Sequence, residues 1–269
     1  MAQPYFAPPP PLEVRGFRFD FSRRIYVVGI LNVTPNSFYD LGRYFEWEKA
    51  VARAEEMVEE GADVVEVGGE TLRPAEPPIS IEEESRRVVP VIETLSARLP
   101  VPIAVDTYKP EVAREAVEAG AVIINDVSGL ADVRMAEIAR EFGVGLVVTH
   151  IQGRPKVDNP DPQYTQLMDE VYEFLWERTE LATQCGVKRE RLIVDPGFSL
   201  GKRTEHDLEV LRRLGEFRSL GYPIYLATSR KTYIREVLGL PNEELLEGTA
   251  AAVAYGTGQG ANLVRTHDV

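Results

Sequence analysis

A chain of 269 residues, 44% of them hydrophobic, is long enough for one large core, and no low-complexity linker divides it. A formal charge of −13 excludes a general nucleic-acid binder, which needs a basic surface to displace counterions. No apolar run approaches the ~20 residues that span a bilayer, so no membrane partner is expected. The single cysteine, Cys185, has no partner for an internal disulfide and fits a reducing cytoplasm. A Pro8–Pro11 run stands where a leader would show basic and then apolar residues, so no signal peptide is expected.

In chain order, residues 12–24 come first. Leu12, Val14, Phe17, Phe19 and Phe21 alternate with polar residues, which predicts a short hairpin plugging one end of the molecule. Eight short apolar runs follow: Ile25–Val33, Ala62–Gly68, Ile103–Asp106, Val122–Asp126, Leu146–His150, Leu192–Asp195, Ile224–Ala227 and Leu263–Arg265. Helical spacing fills the gaps between them. A first helix is predicted from about Glu46, and a second behind a Ser80/Glu83 capping box. A third starts with Pro110 in its first turn, where a missing N–H costs nothing. Further helices are predicted over Val133–Phe142 and Tyr164–Cys185, and one behind Thr204 and Asp207 at capping-box spacing. The last two are expected over Tyr233–Leu238 and Glu243–Tyr255. Acidic stretches such as Glu55–Glu60 and Glu82–Glu84 read as solvated outer faces.

Strands alternating with helices imply parallel pairing through right-handed crossovers, and eight such units close a (β/α)8 TIM barrel. The reading is therefore a single α/β barrel domain over residues 1–269, with the 12–24 hairpin at its N-terminal end. An eighth outer helix, which a complete barrel would place after the last strand, is missing before Val269.

The carboxyl ends of barrel strands converge on one face, where active sites lie. Asn32, Asp106, Asn125, Asp195, Lys231, Arg265 and His267 all fall at or just past such an end. Asn32 offers a neutral amide oxygen suited to a hard cation such as magnesium. Gly68-Gly69 lets backbone approach a ligand, and Arg73 follows with a planar fork suited to phosphate. Asp106, Asn125 and Asp195 together can accept from the ring N–H and amino donors of a flat heterocycle. Asp195 beside Lys231 is expected to stay ionised, because an opposite charge lowers a carboxylate's pKa. Ser229-Arg230-Lys231 and Arg265-Thr266-His267 form a cationic cluster after the last two strands, where many barrels bind phosphate. Other patterns fail. Gly256–Gly260 (GTGQG) precedes a strand instead of following one, so the dinucleotide fingerprint does not apply. His150, His206 and His267 lack metal-ligand spacing.

The ordered set GILNVTPNSFYD, GGETLRP, AVDTYKP, INDVSG, THIQG, DPGFSLGK, SRK and RTHDV closely resembles the dihydropteroate synthase family, over about residues 25–269. The resemblance implies a transferase of folate biosynthesis. Such an enzyme joins 6-hydroxymethyl-7,8-dihydropterin diphosphate to 4-aminobenzoate and releases diphosphate. It implies that Asp106, Asn125, Asp195 and Lys231 bind the pterin, and that Arg73, Arg265 and His267 hold the diphosphate. Lys231, Arg265, His267 and Arg73 would form the catalytic set, and Asn32 would ligate Mg2+. Ser229, Thr232, Pro74 and Leu200 would lie on the aminobenzoate side, loops 34–45 and 70–80 would close over the site, and the chain would form a homodimer.

Three positions depart from the family's usual motifs: Asn36 for an aspartate, Leu72 for a threonine and Leu200 for a phenylalanine. All concern the loop and aminobenzoate side, where they bear on turnover and sulfonamide sensitivity. Two alternatives share the barrel. A methyltetrahydrofolate-using methyltransferase has no diphosphate to hold, and the Arg73, Lys231, Arg265 and His267 set counts against it. A catalytically impaired pterin-binding homologue would bind without turnover.

Overall fold

The chain first doubles back on itself. In the computed structural model, which describes residues 7–34, 47–73 and 76–269, strands β1 (Leu12–Val14) and β2 (Phe17–Phe19) pair antiparallel. Their two-residue turn puts both Arg15 (φ 42°) and Gly16 (φ 88°) in the left-handed region, as the tight turn matching strand twist requires.

The eight apolar runs become β3 (Tyr26–Asn32), β4 (Val64–Gly68), β5 (Ile103–Asp106), β6 (Ile123–Asp126), β7 (Gly145–Thr149), β8 (Leu192–Asp195), β9 (Tyr225–Leu226) and β10 (Leu263–Thr266). They pair in parallel in the order β8-β7-β6-β5-β4-β3-β10-β9. A parallel bridge from Val194 to Ile224, just before β9, closes the sheet into a barrel. Every residue of β4, β6, β7 and β8 is buried, because inner core covers one face and helices the other. That is why these strands read as continuous apolar runs.

Helices α1 (Trp47–Glu60), α2 (Ile81–Arg98), α3 (Pro110–Glu118), α4 (Arg134–Phe142), α5 (Leu167–Gln184) and α6 (Thr204–Arg212) each follow one barrel strand. Both α7 (Thr232–Leu238) and α8 (Leu246–Gly258) lie between β9 and β10. No helix follows β10 among the described residues. Ser80 caps α2, its Oγ accepting from the Glu83 N–H at 3.2 Å, and Pro110 occupies the first position of α3. The cap of α6 differs from expectation. Arg203 precedes the helix and its N–H donates to His206 Nδ1 at 3.2 Å, while the Asp207 carboxylate faces the preceding loop and accepts from Ser199. Asp207 has a better partner there, since Ser199 offers it both an N–H and a hydroxyl.

A period of two sorts each strand's residues onto the barrel's inner or outer face. The inner sets start apolar and end polar: Val64 then Glu66, Ala104 then Asp106, Ile123 then Asn125, Ile193 then Asp195, Leu263 then Arg265. The apolar starts pack with Leu12, Val14, Phe19 and Phe21 of the hairpin region into one buried cluster. Phe19 and Phe21 both meet Tyr26 edge-on, with centroids 4.9 and 5.7 Å away. The hairpin therefore plugs the N-terminal end, and the polar ends are left facing the other mouth.

Candidate active site

Strand register assembles one wall of that mouth. Asn32 pairs with Gly68, Gly68 with Asp106, and Asp106 with Asn125, so four consecutive strands present these residues in a single row. Gly68 is glycine for a local reason. A Cβ there would lie 3.4 Å from Asn32 Oδ1 and 3.8 Å from Asp106 Cβ, filling the seat between them. The facing wall comes from the ends of β9 and β10, which supply Ser229, Lys231, Arg265 and His267.

Between the walls lies a cavity of about 310 Å³, lined by Asn32, Arg73, Asp106, Lys231, Arg265 and His267. Ser229, Thr232, Leu72 and Leu200 line it too. Thus the residues expected at the anion, metal and aminobenzoate positions share one space. Asn125 and Asp195 do not line it; they are buried, 5% and 4% exposed. Asn36, Pro74 and most of the first loop lie outside the described residues.

Arg265 lines this cavity and is held by two carboxylates. Its Nε donates to Glu66 Oε1, and its Nη2 donates to Asp106 Oδ2 at 2.6 Å. Glu66 Oε2 also accepts from Tyr225 Oη at 2.7 Å and from Asn125 Nδ2 at 3.1 Å. Burial opposes the charge on Arg265, but Glu66 and Asp106 outweigh it and hold the guanidinium firmly protonated. Asp106 has its pKa raised by burial and by Glu66, against the pull of Arg265.

Asp195 departs from expectation. Its Oδ1 accepts from the Gly197 N–H at 2.7 Å, and Lys231 favours its charge. Burial nevertheless dominates and lifts its pKa to about 6, so Asp195 ionises later than a surface carboxylate. Lys231 has its pKa lowered, first by burial and then by Arg265. His267 is pushed down to about 3 by burial and by Arg265, which makes it a neutral imidazole at physiological pH. Its Nδ1 lies 2.9 Å from Ser229 Oγ, and its backbone N–H donates to the same oxygen at 3.1 Å.

Arg230, counted in the expected cationic cluster, has another role. Its Nε and Nη2 grip Asp268 at 2.8 Å each, and Nη1 donates to the Asn242 carbonyl at 2.7 Å. It pins the end of β10 to the segment after β9, a partnership too distant in sequence to read from the motif.

Buried ion pairs support the loops around the mouth. Lys109 Nζ donates to Glu70 Oε2 at 2.8 Å and to Glu84 Oε2 at 2.7 Å, under the loop that carries Arg73. Lys156 reaches the same loop, donating to the Thr71 carbonyl at 2.8 Å. Across the site, Lys202 Nζ meets His150 Nδ1 at 2.7 Å and the Gly197 carbonyl at 2.9 Å. Asp207 holds Ser199 beside Leu200 through N–H and Oγ, both at 2.9 Å. Sequence reasoning did not single out Glu66, Glu70 or Lys202. The signal for Glu66 was available: a carboxylate at an inward position inside the run VVEVG has no reason to be there without a cation. Among the described residues no cluster of three or more His, Cys, Asp or Glu could hold a metal by itself.

A barrel mouth that gathers a carboxylate and an amide beside Arg73, Lys231 and Arg265 has the chemistry of an enzyme site for a polar, anionic ligand. Comparison with known proteins narrows the class. The family model for pterin-binding enzymes matches residues 28–267. The dihydropteroate synthase of Bacillus subtilis (strain 168) is 44% identical over 250 residues, covering 93% of this chain and 85% of that protein. The crystal structure of the Yersinia pestis dihydropteroate synthase with a sulfonamide drug superposes with a TM-score of 0.92 at 37% identity, covering 96% of this chain and 93% of that one. The Xanthomonas albilineans dihydropteroate synthase in complex with 7,8-dihydropteroate gives a TM-score of 0.84 at 37% identity, covering 97% and 93%. This chain belongs to the dihydropteroate synthase family.

Proposed function

We infer that the site condenses 6-hydroxymethyl-7,8-dihydropterin diphosphate with 4-aminobenzoate, giving 7,8-dihydropteroate and diphosphate. One observation carries the reading: Asn32 and Asp106, from the strand row that continues to the buried Asn125, share a single cavity with the cations Arg73, Lys231 and Arg265. Asp106, Asn125 and Asp195 accept from the donors of the pterin ring, and Lys231 donates beside them. Arg73, Arg265 and the neutral His267 take the diphosphate, the imidazole as an N–H donor.

Cleavage of the bond from the methylene carbon to the bridging oxygen leaves its electron pair on diphosphate. The carbon's positive charge spreads into the pterin ring, which the carboxylates of Asp106 and Asp195 favour once ionised. Arg265 and Arg73 stabilise the leaving anion where its charge develops. The aromatic amine, seated near Ser229, Thr232, Leu72 and Leu200, then forms the new C–N bond and loses a proton. No covalent bond to the protein is needed. The apolar Leu72 and Leu200 side chains keep competing water from the carbon.

Magnesium fits the donor set. It binds few protein ligands and keeps waters and substrate phosphates, so the neutral oxygen of Asn32 beside the Asp106 carboxylate suits it. Held by Asn32, the ion would supply charge neutralisation on the diphosphate oxygens. The proposed partner is a second copy of this chain. The outer face of α8 exposes Leu246, Ala250, Ala254 and Tyr255, and α7 adds Val237 and Leu238, an apolar surface suited to a homodimer. The proposed compartment is the cytoplasm, supported by the unpaired Cys185. Among the described residues no helix is long and apolar enough to cross a membrane.

Purified protein with magnesium, pterin diphosphate and labelled 4-aminobenzoate tests the reaction. Equal amounts of dihydropteroate and diphosphate are expected; tight pterin binding without product would replace the reading with an impaired homologue. Arg265→Ala should weaken binding of the pterin diphosphate far more than that of the free hydroxymethyl pterin. Equal losses for the two ligands would contradict the anion role.

A further inference from the structure

Arg265 is shared between two carboxylates with different access to a ligand. Asp106 lines the cavity; Glu66, 1% exposed, lies one layer below it and does not. On the reading above, Asp106 must accept a ring donor of the pterin. Its Oδ2 already accepts Arg265 Nη2 at 2.6 Å, so an arriving ring competes for that bond. Asn125 and Asp195 are buried and do not line the cavity, and Asn125 Nδ2 already donates to Glu66, so a ring that bonds them must rearrange the same network.

Glu66 is built to hold on while this happens. Its carboxylate binds groups from three other strands: Arg265 Nε from β10, Tyr225 Oη from β9 at 2.7 Å, and Asn125 Nδ2 from β6 at 3.1 Å. The tyrosine and the amide fix the plane of the carboxylate, and the carboxylate fixes Nε. Among the described residues, the Nη end is tied only by the contact that substrate would take over.

We propose that Glu66 is the positioning residue of the anion-binding arm. It anchors Arg265 at Nε, the pterin displaces the bond to Asp106, and the released Nη end turns about that anchor onto the diphosphate. Seating the ring and gripping its leaving group are then one coupled event. A tethered guanidinium also loses less freedom on binding than an untethered one. Glu66 touches no reacting atom, and the inference rests on the proposed roles of Asp106 and Arg265.

Glu66→Gln keeps the shape and removes the charge. Affinities of wild type and variant are measured for 6-hydroxymethyl-7,8-dihydropterin diphosphate and for the same pterin without its diphosphate. The variant should lose about tenfold for the diphosphate and less than about threefold for the alcohol, because one charge-assisted contact is removed. Equal factors for both ligands would mean that Glu66 is merely structural, and no loss for either would mean that it is idle; each overturns the proposal. Wild-type protein failing to bind the pterin diphosphate would instead sink the underlying reading. If Glu66→Gln does not fold, Tyr225→Phe frees one side of the carboxylate and should show the same selective loss at roughly threefold. An unselective or absent loss in that variant overturns the proposal as well.

Discussion

The two ends of this barrel are made from the same strands and are held by opposite physics. At the hairpin end, Leu12, Val14, Phe19 and Tyr26 meet Val64, Ile123, Ile193 and Leu263 in a dry cluster, and burial stabilises the fold. Two residues further along each strand the inward side chains are Glu66, Asp106, Asn125, Asp195 and Arg265. Burying these costs free energy that only their mutual contacts offset. The same geometry that closes one end thus concentrates charge at the other, and the mouth's chemistry depends on stability supplied from below.

Substitutions at each end should therefore separate affinity from stability. The largest expected effect is at the mouth. Asp195→Asn should cost pterin binding on the order of a hundredfold or more, because a charged acceptor is lost where solvent is excluded. Thermal unfolding should shift little, and wild-type affinity in the variant would refute the pocket. At the other end, Leu12→Ala should remove about 2–5 kcal/mol of stability in a denaturant titration. Its KM for the pterin diphosphate should not change; a changed KM would mean that the ends are mechanically coupled.

Acidity provides a third discriminator. Asp195 in the fold holds its proton up to about 6, against 3.8 for an unperturbed carboxyl. Pterin affinity should strengthen as pH rises through about 6, where Asp195 ionises, and about 7, where Asp106 does, and level off above that, each group adding up to about tenfold per pH unit on its acidic limb. Its share of stability runs the other way. A folded group that holds its proton more tightly than the unfolded chain stabilises fully below 3.8, and that contribution is lost as pH rises through about 6. Asp195→Asn should flatten that residue's part in both profiles. The smallest effect sharpens the contrast. Ser80→Ala removes the α2 cap close to the mouth but away from its charges. It should cost about 1 kcal/mol of stability and leave KM unchanged.

Most of the barrel was legible in the sequence because strands covered on both faces must be apolar throughout, and each such run ended where polarity began. The same rule hid Glu66: inside VVEVG a single carboxylate reads as an interruption, and its partners Tyr225 and Arg265 lie far away in the chain. The direction of the Asp195 shift ran against expectation for a related reason, although a pKa of about 6 still leaves the group mostly ionised at neutral pH. Motifs show which charges are neighbours, whereas desolvation depends on how much of the fold surrounds them. Arg230 and Asp268 form a further non-local pair, and the α6 cap failed because Ser199 outcompeted the helix for Asp207. Strand-end placement did identify Asn32, Asp106, Lys231, Arg265 and His267 as sharing one cavity.

The bottom seal also sets a timetable. Leu12 and Phe19 come early in synthesis, but Leu263 in the same cluster comes near the end, and β10 is the strand that joins β3 to β9. A nascent chain still lacking β10 keeps the aromatic hairpin without its full seat and two strand edges unladdered. Contacts so distant along the chain form slowly and leave sticky surface exposed in the meantime. Completion therefore waits for the last strand to leave the ribosome, and holdase chaperones should engage stalled chains that stop before Leu263 more than those that extend past it.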